Sequence, residues 1–323
     1  MSILVVGSIA LDSIETPFTR VERVLGGAAS YFVTAASLYT KVNMVGVVGK
    51  DFPQEHLTFW EQRGVDLKGV EIKEGQNFFW RGRYHMDMNL RDTLETELGV
   101  FGDFHPIVPE EYRQSPLLFL ANIHPELQLE VLEQVPSPRL TVLDTMELWI
   151  NTTRSQLTEV MKRSDVLLMS EEEVRHYTDQ PSVLAGVRQL FGLGLKYIVV
   201  KLGSYGALLF GADGTYFSAP AYPLEEVIDP TGAGDSFAGG FLGYLSSVQP
   251  GADGTYTIDD LKRAVVHGNI IGSFVCSDFS IDGLRNVTMS DVELRYKELV
   301  LFSHFDPSWK PVSSLQDTKE QVL

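Results

Sequence analysis

The chain is short of cysteine. Among 323 residues it has one, Cys276, so no internal disulfide can form. A lone cysteine of this kind reads as a small buried hydrophobe in a reducing cytosol. Long apolar runs are also missing. No stretch approaches the roughly 18 apolar residues that crossing a bilayer takes. The N-terminal "MSILVVGSIALDSIE" has no basic start and meets Asp12 too early for a signal peptide. A cytoplasmic protein with no membrane contact is expected. Positive charge is scarce too, with 26 Lys and Arg against 43 Asp and Glu and a net charge of −17. That balance argues against a nucleic-acid partner, whose phosphates require basic side chains. A small anionic substrate is still allowed, since backbone amides or one arginine can bind phosphate. Two nucleotide-binding signatures are absent as well. "VVGSIALDS" lacks G-x-G-x-x-G, and no Gly-Lys-Ser/Thr follows any glycine-rich turn.

What is present is 44% hydrophobic residues, enough for a full core. Short apolar runs alternate with amphipathic stretches. "ILVVGSIA" reads as a strand and "AASYFVTAASLY" as a helix; "NMVGVVG" and "PQEHLTFWEQRG" repeat the pair, with Pro53 near the first turn. "LLFLANI", "RLTVLDT", "DVLLMS" and "YIVVKLG" read as further strands, each beside a helical segment. Near-continuous apolar strands between helices imply an α/β fold, a doubly wound and mostly parallel sheet covered on both faces. One domain over residues 1–305 is expected. From about Val70 to Phe101 the alternation changes, and a small β lid inserted at about 70–101 is expected there. The tail 306–323 is polar and reads as loosely held.

The most informative stretch is "DPTGAGDSFAGGF", from Asp229 to Phe241. Gly232, Ala233 and Gly234 carry little or no side chain and lead into a helix. Their amides can approach a ligand closely, and a helix start favours an anion. Asp235 in that first turn either caps the helix or takes a proton from an attacking hydroxyl while the amides hold a phosphoryl group.

That stretch resembles the C-terminal signature of the ribokinase-like, PfkB-type carbohydrate and nucleoside kinases. The likeness covers most of the chain. "VVGSIALD" is similar to the family's first strand, whose aspartate, here Asp12, binds substrate hydroxyls. "LGGAAS" is similar to its di-glycine element, Gly26 and Gly27, at the substrate pocket and lid hinge. "VGVVGKDF" is similar to its Gly-x-Asp turn, ending at Asp51. "VVKLGSYGALLF" is similar to the strand and loop that meet the nucleotide, with Lys201, Gly203 and Gly206. The resemblance implies Asp235 as catalytic base, Gly232, Ala233 and Gly234 as anion hole with Thr231 beside them, and Asp229 at a monovalent-cation site, potassium for example. ATP and magnesium would be the cofactors. Three positions depart from the pattern. Tyr31 stands where many members carry a sugar-binding asparagine. The family's Asn-x-x-Glu, which helps position magnesium, reads Ser170 to Glu173 here. Ser280 stands where a glycine is common.

Further candidates are His267 and Asn269, on the helix bordering the adenine, and Asn122, ending a strand at the edge where doubly wound sheets bind ligands. His124 follows Asn122 at the same edge. Asp51 reads better as an N-cap for the helix at Pro53. Arg81 and Arg83 on the lid read as solvated. The expected activity is ATP-dependent phosphorylation of a hydroxymethyl group on a sugar or sugar-like substrate. A nucleoside kinase is the alternative, in which Tyr31 would stack on the base. A non-catalytic ligand-binding relative is the alternative of another class, and Asp235 argues against it. A homodimer through lid strands is compatible with the pattern.

Overall fold

A computed structural model describes residues 1–252 and 254–304; the tail expected to be loosely held lies outside the described residues. The first apolar run, read above as one strand, is two strands in two sheets. β1 (Ile3–Val6) lies in the main sheet, and β2 (Ala10–Glu15) lies in the lid. The break falls at Gly7, where a Cβ would come within 2.7 Å of Ala121 and 3.0 Å of Ala29. The chain turns there because only a bare backbone fits between its neighbours. Ser8 then caps the helix Ala28–Ala36: its Oγ accepts from Ala28 N at 3.0 Å and its carbonyl from Ala29 N at 3.0 Å. This satisfies amides that every helix start leaves over.

β3 (Arg20–Gly26) returns antiparallel to β2. β4 (Val42–Gly49) and β5 (Val65–Lys73) join the main sheet, parallel to β1 and to each other. β6 (Phe78–Tyr84) and β7 (Arg91–Glu97) complete the lid, in the order β3-β2-β6-β7. The lid is therefore four strands drawn from two parts of the chain. The expected insertion at 70–101 supplies only two of them, and β5, where that insertion was placed to begin, belongs to the body.

β8 (Leu117–Leu120), β9 (Leu140–Asp144), β10 (Val166–Ser170) and β11 (Tyr197–Lys201) extend the main sheet in parallel. β12 (Ala207–Gly211) and β13 (Tyr216–Ala219) close one edge antiparallel. Along β1, Ile3 and Val5 enter one hydrophobic core while Leu4 and Val6 enter the other. Both faces of the sheet are thus covered, which explains the unbroken apolar runs. The helices Ala28–Ala36, Ala233–Ser247 and Ile258–Val275 pack on the first face, which places the start of Ala233–Ser247 beside the lid.

Candidate functional site

The helix Ala233–Ser247 begins at Gly232, whose φ of 75° is left-handed and so favours glycine. A Cβ on Gly232 would overlap ring carbons of Tyr31. The loop thus lies flat on the tyrosine ring. Tyr31 is 1% exposed, and its ring is occupied by this packing. It does not stack on a base, as the nucleoside alternative supposed; it supports the loop, and its hydroxyl is buried without a partner. Asp229, fully buried, accepts from Thr231 N at 2.9 Å through Oδ1 and from Ser280 N at 3.4 Å through Oδ2. Ser280 has φ 57°, a conformation that suits the glycine usual at this position. Of the three loop amides expected to hold an anion, Ala233 N already donates to Pro230 O at 3.1 Å.

Asp235, in the first helical turn, is half-buried. Burial, reinforced by the negative charge of Asp144, pushes its carboxyl up to about 7, while Lys201 and Arg91 pull the other way. Lys201 ends β11. Its ammonium donates to both oxygens of Asp144 at 2.9 Å and lies 3.1 Å from where a Cβ on Gly234 would stand. Burial works against the charge on Lys201, but Asp144 and Glu173 prevail and keep it protonated. Glu173 closes a capping box with Ser170, accepting from Ser170 N at 2.7 Å while its own N donates to Ser170 Oγ at 3.1 Å. Burial and Asp144 push Glu173 up to about 7. It is both a cap and a member of the charged cluster.

Asp12 is 4% exposed and sits within lid strand β2, not at the end of the first body strand. Burial first, and then the charge of Asp229, push it up to about 8. Gly26, on the adjoining β3, leaves the room that this carboxylate fills; a Cβ there would overlap it. Gly27, with φ 93°, makes the turn into the helix Ala28–Ala36, and a Cβ there would fall 2.5 Å from Ser8 O. Across the β2–β6 pairing, Asp12 is in register with Trp80. Directly paired residues share a face, so Trp80 and Asp12 lie on one side of the lid; the indole runs over Gly82 and donates to Thr93 Oγ1 of β7 at 3.2 Å.

A cavity of about 340 Å³ opens next to the loop, lined by Lys201, Gly203, Gly206, Gly234, Phe237 and Asn269 among others. Asn269 is fixed by donating to Ala219 O and Pro220 O at 3.2 and 3.0 Å. His267 is not part of it. It stacks on Tyr244 at 4.5 Å, its Nδ1 meets Tyr39 Oη at 2.9 Å, and burial lowers it to about 4. Its neighbours Gly268 and Asn269 face the cavity instead. A wider open groove of about 600 Å³ beside Asn43 and Lys68 holds none of the charged cluster.

Asn122 lies two residues past the end of β8 rather than in it, and its amide is taken: Trp149 Nε1 donates to its Oδ1 at 2.8 Å, and its Nδ2 meets Met146 Sδ at 3.1 Å. His124 caps the helix Pro125–Gln134. Asp51 is not an N-cap; it accepts from Asn77 N at 2.7 Å and from Arg23 of β3 at 2.8 Å, tying the lid to the body. Arg81 and Arg83 are exposed and pair with Glu95 and Glu15. Four residues escaped the sequence reading: Asp144, Trp80, Tyr84 and Arg91. For Asp144 a signal existed, because it ends an apolar strand at the crevice edge. The other three depend on pairing within the lid.

This sheet, with its lid, is that of the ribokinase-fold kinases. A putative ribokinase II from E. coli, in complex with ATP and Mg, superposes with a TM-score of 0.76 at 18% identity, covering 92% of this chain and 99% of that one. The aminoimidazole riboside kinase of Salmonella enterica gives 0.71 at 20%, covering 92% and 100%. The pfkB family carbohydrate kinase model matches residues 2–78 and 138–282, more than half of the chain. The chain belongs to that family and is an ATP-dependent phosphotransferase acting on an alcohol group of a sugar or nucleoside. It is 33% identical over 256 residues to the cytidine kinase of Thermococcus kodakarensis, covering 77% of this chain and 90% of that protein. It is 24% identical over 286 residues to the nucleoside kinase of Methanothermobacter thermautotrophicus, covering 81% and 82%.

Proposed function

We propose that the acceptor is a nucleoside, with a pyrimidine nucleoside such as cytidine the first to test. The observation that carries this is the register of Asp12 with Trp80 on one face of the lid. A carboxyl group there suits neighbouring ribose hydroxyls, and an indole on the same face suits a planar base. The likeness to the cytidine kinase supports the same reading. Asp235 takes the proton of the hydroxymethyl group as its oxygen attacks the γ-phosphorus. The new O–P bond forms as the bond from that phosphorus to the bridging oxygen breaks, and ADP leaves with the electron pair. The free amides of the Gly232–Gly234 turn and the Lys201 ammonium receive charge developing on the phosphoryl oxygens. The ATP base occupies the cavity beside Asn269.

Among the described residues no group of three or more His, Cys, Asp or Glu could hold a metal ion by itself. Two acids, Glu173 and Asp144, do lie together, which fits a magnesium ion that takes most of its ligands from phosphates and water. Bound there, it would neutralise phosphate charge, with Glu173 its nearest protein partner. Potassium beside Asp229 is part of the proposal, as a dependence of turnover on that ion. So is a homodimer through the lid, whose strands β3 and β7 are open edges. No helix among the described residues is long and apolar enough to cross a membrane, and a cytoplasmic location belongs to the proposal.

The test is turnover of ATP against a panel of nucleosides and free sugars. Cytidine or another nucleoside should be the best acceptor, and Trp80→Ala should raise its KM about tenfold or more. A free sugar as best acceptor, indifferent to Trp80→Ala, refutes the nucleoside reading.

A further inference from the structure

The lid reaches the nucleotide side of the site as well as the acceptor side. Tyr84, at the end of β6, is buried, and its hydroxyl accepts from Thr231 Oγ1 of the glycine loop at 3.0 Å. The hairpin beyond it carries Met88 and Asn89 to the wall of the nucleotide cavity, where Asn89 lies directly against Gly203. The chain then returns to Arg91, the residue paired with Tyr84 across β6–β7. Tyr84 and Arg91 therefore share a face, and the Arg91 guanidinium interacts with the Tyr84 hydroxyl. Its central carbon lies 5.7 Å from the Trp80 ring centroid.

Five acids gather here: Asp12, Asp144, Glu173, Asp229 and Asp235. Lys201 is committed to Asp144. Arg91 makes no ion pair with a carboxylate among the described residues, and its surface is open. Burial raises the proton affinity of Asp12, Asp229, Asp235 and Glu173, and Arg91 pulls against it at all four. An arginine with open donors, latched beside a phosphate loop and central to its acids, is placed to meet an anion arriving between them.

We propose that Arg91 is a catalytic residue contacting the transferred phosphoryl group, held over the glycine loop by the Tyr84–Thr231 latch. Its planar fork binds two of the phosphoryl oxygens as negative charge builds on them, while the phosphorus passes from the bridging oxygen of ADP to the acceptor oxygen. The lid thereby couples acceptor enclosure to completion of the phosphoryl site. This rests on the kinase reaction but not on the choice of acceptor.

The experiment compares wild type with Arg91→Gln and Arg91→Lys, using the acceptor the wild type prefers. Arg91→Gln should lower kcat on the order of 10²–10³-fold with acceptor KM changed less than about threefold. Lysine, a point charge without the fork, should recover only part of this loss. Calorimetry without any acceptor gives a second readout. Affinity for a non-hydrolysable ATP analogue with magnesium should fall about fivefold or more in Arg91→Gln, while ADP affinity stays within about twofold. Arg91 is exposed on an edge strand, so the melting temperature should hold. A kcat within about threefold of wild type overturns the proposal. So does equal weakening for ADP and the analogue, or a loss of kcat that tracks a loss of melting temperature. If sugars replace nucleosides as acceptors, the acceptor reading falls and the Arg91 comparison proceeds on the sugar.

Discussion

Replacing Asp144 by asparagine separates the electrostatics of this site from its packing. Asp144 is 3% exposed, and both its oxygens accept from Lys201 at 2.9 Å. Breaking a buried pair by removing one partner costs about 3–5 kcal/mol, because the other charge is left uncompensated. Asparagine retains one acceptor oxygen, so a loss near the lower end is expected, or several degrees in melting temperature. The sharper consequence is for Asp235. Burial contributes most to holding it at about 7, and Asp144 is the next cause. Without Asp144 the carboxylate form is favoured, and the released ammonium of Lys201 pulls in the same direction. A base must be deprotonated to act, so kcat/KM falls on the acid side as Asp235 gains its proton. In wild type this limb should lie near pH 7. In Asp144→Asn it should move to lower pH. Lys201→Met should move it the opposite way, since Lys201 opposes protonation of Asp235. The assay is kcat/KM from pH 5 to 9 for all three proteins, with melting temperature read alongside. A limb that stays put or rises in Asp144→Asn refutes the charge coupling.

Gly232→Ala should destabilise the fold by about 2–4 kcal/mol, from a left-handed φ and overlap with the buried Tyr31 ring. Gly234→Ala meets only the flexible end of Lys201 at 3.1 Å, so it should weaken ATP binding in calorimetry with a smaller change in melting temperature. Equal melting temperatures for the two variants would contradict this geometry. Asp12, at about 8 in the fold against roughly 4 unfolded, keeps its proton in the native state across that window. The native state then binds more protons than the unfolded one, so this group makes the free protein less stable as pH rises from about 4 to 8. Asp12→Asn should raise the melting temperature at pH 8.5, change it little near pH 4, and lower acceptor kcat/KM at least about tenfold. An unchanged kcat/KM would return Asp12 to a merely structural role.

The glycine loop was legible because its chemistry is local. A run of small residues and an acid opening an apolar helix admits few readings, and the helix does begin within that run, at Ala233. The alternating strands were legible because both faces of the sheet are covered. The lid was half legible. Its strand Ala10–Glu15 is buried along nearly its whole length and carries no alternation that separates it from the body strand before it. Only the tight space at Gly7 parts them. Tyr84 and Arg91 could not be foreseen, because their meeting depends on the β6–β7 register, and a bulge between Arg81 and Gly82 sets that register. The same pairing turns Arg81 to Glu95, while the β2–β6 pairing sets Arg83 opposite Glu15. His267 was misplaced by one helical position. The cavity takes Gly268, Asn269, Gly272 and Ser273, and one residue back the helix has turned about 100° toward Tyr244.

The account stands most directly on Asp235. Asparagine keeps its size and much of its capping ability, so the fold and ATP affinity should be retained. Turnover of the best acceptor should drop on the order of 10²–10⁴-fold, and the acid limb near pH 7 should vanish from what activity remains. Turnover close to wild type in a folded Asp235→Asn protein, with that limb still present, would contradict the account.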